Sequence, residues 1–212
     1  MERQLKKMKS AITLLTLCTV LVSLHASVPS YTWPTFKSNI QSVDTKTNQT
    51  TVANFCSDSK KKMIRLDANL INPKGVLQHY IQIFEVDKYT LIDYTVGKDD
   101  SIACIFAKLN TSELFGNLLS GATYMGFKTL SSTIGMSYQV PAFFGSPFLI
   151  VIDAFTNYPA MLVKQNDNSA SYFINASEFS DVESDAMLRI PKGITCKQVA
   201  GKVNHKFMIL GE

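Results

Sequence analysis

The amino-acid sequence predicts a mainly β protein with some helix (the α+β class), built around an antiparallel sheet. Between residues 62 and 109, apolar and polar residues alternate in runs that turn-forming residues interrupt about every 8–12 residues, which is the pattern of a β meander. Further along, Phe148–Ile152 is a fully apolar run, typical of a central strand that is buried on both faces. The length of 212 residues suits one hydrophobic core.

Each strand of the meander is predicted from its own pattern. In the first strand, Ile64 and Leu66 share one face of the sheet, while Arg65 and Asp67 share the other. The strands of the meander are expected at residues 62–67, 76–86, 89–96 and 102–109. Asn, Pro, Gly, Asp and Lys residues predict the turns between them, at 72–75, 87–88 and 97–100. Strands resume at 147–152, 160–164 and 171–175.

A different pattern separates these two groups of strands. Residues 112–119 predict a short helix. From Gly116 to Gly145 the chain is rich in Gly, Ser and Thr, and Lys128 is its only ionised side chain. We interpret this segment as a packed irregular connection, with a mobile apolar flap as the alternative. Residues 197–212 have no strong pattern, so we expect a frayed C-terminal tail.

The first 26 residues have the pattern of a secretory signal peptide. Four basic residues precede an apolar run from Ala11 to Leu24, and small residues follow at Ala26 and Ser27. The run is short for a hydrocarbon core that is about 30 Å thick. We therefore expect cleavage close to Ala26, export to the extracellular space, and a single domain over residues 27–196.

The charge of the chain gives little support to nucleic-acid binding. The formal net charge is +4, and residues 1–26 contribute +3 of it through four basic residues and one acidic residue. The rest of the chain is therefore close to neutral, and we expect no nucleic-acid partner. Lys60, Lys61 and Lys62 form the one dense basic cluster that remains, and such a run is more typical of a solvated turn than of a polyanion site.

Three N-glycosylation sequons agree with export. They begin at Asn48, Asn110 and Asn175. An attached glycan is bulky and solvated, so each occupied site must lie on the surface.

The cysteines predict one disulfide bond and no metal site. After the signal peptide, Cys56, Cys104 and Cys196 remain, an odd number for an oxidising compartment. We expect Cys104 to pair with Cys196, because Cys104 ends a central strand and Cys196 ends the last patterned segment. Cys56 is then free or bonded to another chain, so an oligomer through Cys56 is possible. No two of these cysteines are close in sequence, so no metal site is expected.

The residues typical of catalytic sites are few, and we expect no enzymatic activity and no cofactor. The chain has no nucleophile elbow, phosphate-binding loop or zinc-binding helix motif. Asp99 and Asp100 lie in a predicted turn, where aspartate is common for structural reasons. Asp153 follows the buried strand and is a candidate acid or base without an evident partner. Cys56 could have a lowered pKa beside the lysine cluster, although an inert or bonded thiol is favoured.

Several short segments carry a family resemblance. They are Trp33, Lys61–Asp67, Phe84, Tyr89–Asp93, Cys104, Asp153–Leu162, Leu188–Pro191 and Cys196. In these segments the chain resembles the ependymin-related secreted glycoproteins and the broader group with a LolA-like lipoprotein-carrier fold. It differs from the ependymin pattern in having three cysteines after the signal peptide, where that family usually has more.

The resemblance implies an incomplete barrel, which is a strongly curved antiparallel sheet with one or two short helices across its mouth. The concave face of such a sheet can hold a large apolar cavity. A sheet packed around a solid core, without a cavity, would show the same alternation of residues. We favour the cavity over the solid core mainly because of the resemblance. We expect a shared apolar interior formed by Ile81, Ile83, Ile92, Tyr94, Phe106, Phe148 and Ile150.

Two functions follow. The first is a secreted glycoprotein that binds a hydrophobic small molecule or lipid, for example a fatty acid, in the concave face of the sheet. The second is an extracellular structural or adhesion glycoprotein that acts on cell-surface or matrix components through its surface and glycans, with a solid core. An open cavity of several hundred Å³ would favour the first function. An exposed apolar patch or an unpaired sheet edge would favour the second.

Overall fold

One twelve-stranded sheet organises the fold. The structure, a computed structural model, describes residues 28–44, 49–71, 77–95, 102–108, 111–143, 146–166 and 169–199. The strands are β1 (Phe36–Asp44), β2 (Gln49–Asp58), β3 (Met63–Ile71), β4 (Leu77–Glu85), β5 (Lys88–Thr95), β6 (Ile102–Lys108), β7 (Thr123–Thr129), β8 (Ile134–Phe143), β9 (Ser146–Asp153), β10 (Pro159–Lys164), β11 (Ala170–Ser177) and β12 (Lys197–Gln198). A 3₁₀ helix covers Ser112–Phe115, and an α-helix, α1, covers Asp181–Leu188.

The sheet consists of two antiparallel meanders that meet in the middle. The strand order is β12-β6-β5-β4-β3-β2-β1-β11-β10-β9-β8-β7, so β1 pairs with both β2 and β11. All pairs are antiparallel except that of β12 with β6. The sheet does not close, because β7 ends one edge and β12 ends the other. This arrangement confirms the predicted mainly β fold with an incomplete barrel.

The curvature of the sheet follows from its core. Ile64 and Phe84, on β3 and β4, belong to the same buried cluster as Phe148 and Ile150, on β9, although β2, β1, β11 and β10 lie between β3 and β9 in the sheet order. These residues can share one cluster only if the sheet curves around it. We call the side facing this cluster the inner face and the opposite side the outer face. Phe55 is fully buried at its centre, and burial of one such side chain contributes about 1.5–3 kcal/mol.

Two segments outside the strands fill the inner face. Because β6 and β7 lie at opposite sides of the sheet, the connection between them must cross it. This crossing segment buries Leu114, Leu118 and Leu119 in the inner cluster. The N-terminal segment adds Tyr31 and Trp33. The two segments hold each other, since Leu118 N donates to Tyr31 O (2.7 Å) and Tyr31 N donates to Asn117 Oδ1 (2.9 Å).

Part of the outer face, over strands β2 to β6, is covered by the last described residues. We call residues 179–199 the outer strap. Its helix α1 begins with a capping box, in which Ser180 N donates to Glu183 Oε2 (2.9 Å) and Glu183 N donates to Ser180 Oγ (3.3 Å). Leu188 of α1 packs with Cys56, and the Cys104–Cys196 disulfide attaches the end of the strap to β6. The predicted pairing of these two cysteines is thereby confirmed.

A buried carboxylate fixes α1 to the sheet. Asp58, 1 % exposed, accepts a hydrogen bond from Ser184 Oγ (2.6 Å) on the helix and two from the amides of Lys60 and Lys61 (2.9 Å each). The Lys61 ammonium lies 3.5 Å from Asp58 and 2.5 Å from Asp185 on the helix. Burial alone would raise the pKa of Asp58, but these hydrogen bonds and the lysine charge outweigh it and hold the pKa below its ordinary value.

Two expectations about the elements need correction, and a third is met by one helix. Two strands, β7 and β8, lie where we interpreted residues 116–145 as an irregular connection. Of the two described helices, the 3₁₀ helix lies in the segment that crosses the inner face, as expected for one helix at the mouth, whereas α1 packs on the outer face. The predicted tail begins with β12, which the disulfide at Cys196 holds next to β6. The predicted signal peptide and residues 200–212 lie outside the described part of the chain.

The burial and the thiol pKa of Cys56 also differ from two possibilities that the sequence suggested. The residue is 3 % exposed beneath α1, where it packs against Phe179 and Leu188. Burial raises the pKa of its thiol to about 12, so the thiol is not activated by the neighbouring lysines. A disulfide to another chain would require the outer strap to move, so the structure does not support an oligomer through Cys56.

Gly135 should be sensitive to the smallest substitution. A Cβ at this position of β8 would lie 2.9 Å from Ile152 O and closer still to the Val151 side chain. We expect Gly135→Ala to lower the free energy of unfolding by about 1–3 kcal/mol, the usual cost of overpacking. Gly116→Ala is the control and should have a much smaller effect, because a Cβ there would make only ordinary van der Waals contacts, 3.7 Å from two backbone oxygens. Urea denaturation of the two variants tests this, and equal stabilities would contradict it.

Candidate functional site

Among the described residues, the inner cluster packs around a void that is far too small for a lipid. The void has a volume of about 20 Å³. Its walls are Trp33, Leu118, Val140, Phe148, Ile150 and Leu162. Such a volume holds roughly one water molecule, far less than the roughly 300–1,000 Å³ of small-molecule sites. The crossing segment and the N-terminal segment therefore occupy the space in which the sequence predicted a ligand.

The predicted ligand-binding residues lie on both faces of the sheet. Phe148 and Ile150 belong to the inner cluster. Ile81, Ile83 and Ile92 form a separate cluster with Cys104 on the outer face, beneath the outer strap. The expectation of one shared interior is therefore wrong. Within each strand, the residues that share a face were predicted correctly. Alternation does not show, however, which faces of two strands distant in the chain lie on the same side of the sheet. A shift of one residue reverses the face that a side chain occupies.

The remaining predicted positions are placed as follows. Phe106 on β6 is partly buried, and the Lys88 ammonium lies 5.6 Å from the centre of its ring. The side chain of Tyr94 lies outside the described part of the structure, as do Asn48 and Asn110. Asn175 on β11 is exposed, as a glycosylated residue must be. Whether any of these residues binds a ligand or carries a glycan stays a prediction.

An exposed apolar surface lies at the β7 edge of the sheet. The outer side of β7 has no hydrogen-bonded strand beside it among the described residues. Phe127 is 71 % exposed and Met125 is 57 % exposed. Large apolar side chains on an open edge are unusual, because such an edge can pair with another chain.

A bulge in β7 arranges the aromatic side chains of this edge. Tyr124 pairs with Tyr138 and Phe127 pairs with Met136, so three steps along β7 match two steps along β8. The extra residue is accommodated at Gly126, whose φ is +95°, a value that L side chains rarely adopt. As a result Tyr124 and Phe127 lie on the same face, with ring centroids 6.3 Å apart, whereas a regular strand would direct them to opposite faces.

These residues extend the inner cluster to the surface. We call Tyr124, Phe127, Ile134 and Met136 the β7 shelf. Tyr124 contacts the buried Tyr138, with ring centroids 5.4 Å apart, and Met136 packs against the inner cluster. The shelf is thus the uncovered margin of the inner face. It was missed in the sequence, although the in-phase residues Met136, Tyr138 and Val140 are a strand signal in an otherwise Gly- and Ser-rich segment.

The chemistry near the shelf does not resemble a catalytic site. Asp153, the candidate acid or base, accepts hydrogen bonds from the Thr133 hydroxyl and from the amides of Phe155 and Thr156 (2.8 Å each). Burial would raise its pKa, but these hydrogen bonds outweigh burial and lower it. Asp153 therefore shapes the turn between β9 and β10 as a carboxylate. The absence of enzymatic activity stays a prediction.

Comparison with known proteins supports the fold and gives no function. A crystal structure of an uncharacterized conserved protein from Thermus thermophilus is similar, with a TM-score of 0.52 and 10 % identity over 77 % of this chain and 90 % of that chain. The complex of MucA and MucB from Pseudomonas aeruginosa has a TM-score of 0.32 and 9 % identity over 74 % of this chain and 56 % of that chain. The first likeness shows the fold alone, and the second is too low to carry an argument.

The sequence comparisons identify no relatives. No family model matches the chain, and no curated protein matches it. The resemblance to ependymin-related and LolA-like proteins therefore stays a prediction. No helix in the described residues is long and apolar enough to cross a membrane.

Proposed function

We propose that this protein is an extracellular binding protein that acts through the β7 shelf on an extended, largely apolar segment of a partner polypeptide. The observation that carries this proposal is the combination of an unpaired strand edge with exposed Phe127 and Met125. An added strand would pair with the free backbone of β7, and its apolar side chains would cover the shelf. A partner at the cell surface or in the matrix fits the predicted export.

The surroundings of the shelf favour a partner without strong charge. Lys128 is the only ionised side chain between Gly116 and Gly145. No sequon lies between Asn110 and Asn175, so no N-glycan on β7 to β10 would block the edge. A binding site of this kind gains its free energy from backbone hydrogen bonds and apolar burial.

The other expected function, a lipid held inside the sheet, has less support. The void beside Trp33 and Phe148 has a volume of only about 20 Å³, so a fatty acid would have to displace the crossing segment or the N-terminal segment. The shelf is also open to solvent, whereas small-molecule sites bury most of their ligand. An exposed apolar edge beside a filled core is the arrangement that favours action through the surface.

Phe127→Asp should weaken binding to cell-deposited extracellular matrix by about tenfold or more, the usual effect of removing an aromatic hot spot. The fold should be unaffected because the side chain is exposed. The measurement is a titration of the labelled full chain on decellularised matrix, with a thermal melt of each variant.

Val182→Asp is the matched control, since Val182 is a similarly exposed apolar residue on α1, on the outer face. The control should bind like the wild type. Equal binding by both variants and the wild type, or no binding by the wild type, would contradict the proposed function.

A further inference from the structure

The outer face carries a groove that the proposed function does not use. It lies between the outer strap and strands β3 to β5, and its volume is about 420 Å³. This volume falls within the roughly 300–1,000 Å³ of small-molecule sites. The lining residues are Lys61, Met63, Ile83, Glu85, Lys88, Thr90, Asp185, Leu188, Arg189 and Ile190. We propose that this outer groove binds a single-chain amphiphile with an anionic headgroup.

The floor of the groove suits an apolar chain. Ile83 belongs to the outer cluster with Ile81, Ile92 and Cys104, and Ile190 of the strap packs against the same cluster. Leu188 of α1 closes one side. An apolar chain between these residues would be covered by the sheet below and by the strap above. Its burial would supply most of the affinity.

A polar group at the floor indicates where the headgroup lies. Thr90 is 1 % exposed, and its Oγ1 has no hydrogen-bond partner among the described residues. Buried hydroxyl groups nearly always have a partner, so an unpartnered one that lines a groove points to a ligand atom. An oxygen of the headgroup can accept this hydrogen bond.

The lysine nearest to Thr90 on β5 favours an anion at that position. Lys88 precedes Thr90 by two residues on β5, so both side chains lie on the outer face. The lining contains three cationic side chains and two carboxylates. One carboxylate, Asp185, serves two cations, since it lies 2.5 Å from Lys61 and 3.6 Å from Arg189. The other, Glu85, lies 3.0 Å from Lys88. Lys61 also lies 3.5 Å from the buried carboxylate of Asp58, so the charges around the groove nearly balance. A carboxylate or phosphate that accepts a hydrogen bond from Thr90 would lie beside the Lys88 ammonium, on the same face of β5, and would share it with Glu85.

The test is competition of defined amphiphiles against the fluorescent anionic probe 1-anilinonaphthalene-8-sulfonate on the purified full chain. Hexadecanoate and a single-chain lysophosphatidic acid should displace the probe, and hexadecanol should do so at least about tenfold less well, because a charged headgroup makes the stronger hydrogen bonds. The two acids distinguish a carboxylate from a phosphate headgroup. Displacement by either acid supports the proposal, and equal displacement by hexadecanol overturns it.

Two variants locate the site. Thr90→Val keeps the shape of the side chain and should weaken the binding of the preferred acid about fivefold without loss of thermal stability. Lys88→Met should weaken it about tenfold, while Lys60→Met, which changes an exposed lysine outside the groove, should leave it unchanged. Unchanged binding by Thr90→Val and Lys88→Met overturns the proposal. The Phe127→Asp variant should bind the acid as tightly as the wild type does. A negative result for the outer groove can therefore be distinguished from a negative result for the proposed function.

Discussion

Replacing Cys104 and Cys196 together with alanine should lower the free energy of unfolding by about 4 kcal/mol. The bridge joins residues 92 positions apart, and closing a loop of this length restricts the unfolded chain strongly. The bridge also holds β12 against β6, so its loss should release the end of the outer strap before the sheet unfolds. Urea denaturation followed by circular dichroism measures the loss of stability.

Cys56→Ala is the control for this experiment. It removes a buried thiol and leaves the bridge intact, so it should cost about 1 kcal/mol. Non-reducing peptide mapping should recover Cys104 linked to Cys196. A double variant as stable as the Cys56 variant, or a peptide in which Cys56 is linked to either of the other two, would contradict the assigned role of the bridge.

Asp58→Ala should cost about 3 kcal/mol, because it leaves the Ser184 hydroxyl and two amides without their buried acceptor. The effect should be concentrated in α1, whose amides should exchange hydrogen faster, while those of β8 and β9 should not. Ser184→Ala removes one of these hydrogen bonds and should cost about 1–2 kcal/mol. Equal stability of Asp58→Ala and the wild type would mean that α1 is held by its apolar contacts alone.

The same carboxylate predicts a pH dependence. Since the pKa of Asp58 is lower in the folded protein than in the unfolded chain, its charged form stabilises the fold. That contribution is complete above the ordinary aspartate value of about 3.9 and is lost as the pH falls through the lower, folded value. Asp58→Asn should therefore lose less stability than the wild type on acidification. Parallel acid titrations of the two proteins would show the difference.

The strands were predictable where apolar and polar side chains alternate and turn-forming residues mark both ends of the run. β3 was identified by the alternating Ile64 and Leu66, and β9 by the apolar run at Phe148–Ile152. Burial on one face requires alternating apolar residues, and burial on both faces requires a continuous apolar run. β7 was not predicted, since almost all of its residues are exposed and its alternation is broken by the bulge at Gly126. α1 could have been found from Ser180 and Glu183, whose spacing is that of a capping box.

The site was less predictable than the fold. Alternation places Ile81 and Ile83 on one side of β4, but it does not say which side is concave. The face on which each residue lies depends on the packing of the crossing segment. Leu114 and Leu118 of this segment fill the inner face, whereas Ile83 lies on the opposite face and lines the outer groove. The shelf depends on where the sheet ends, which is set by the pairing of β1 with β11, a contact between residues that are far apart in the chain.

The most direct test of the proposed function uses Met125 as a built-in probe. Met125 is exposed on β7, while Met161 is buried on β10. Oxidation of methionine to its sulfoxide follows exposure, so peroxide should modify Met125 quickly and Met161 slowly in the free protein. The proposed function predicts that Met125 is oxidised several-fold more slowly once the protein is bound to matrix, with Met161 unchanged. Oxidation of Met125 at the same rate in the free and bound protein would contradict strand pairing at the β7 edge, which the proposed function requires.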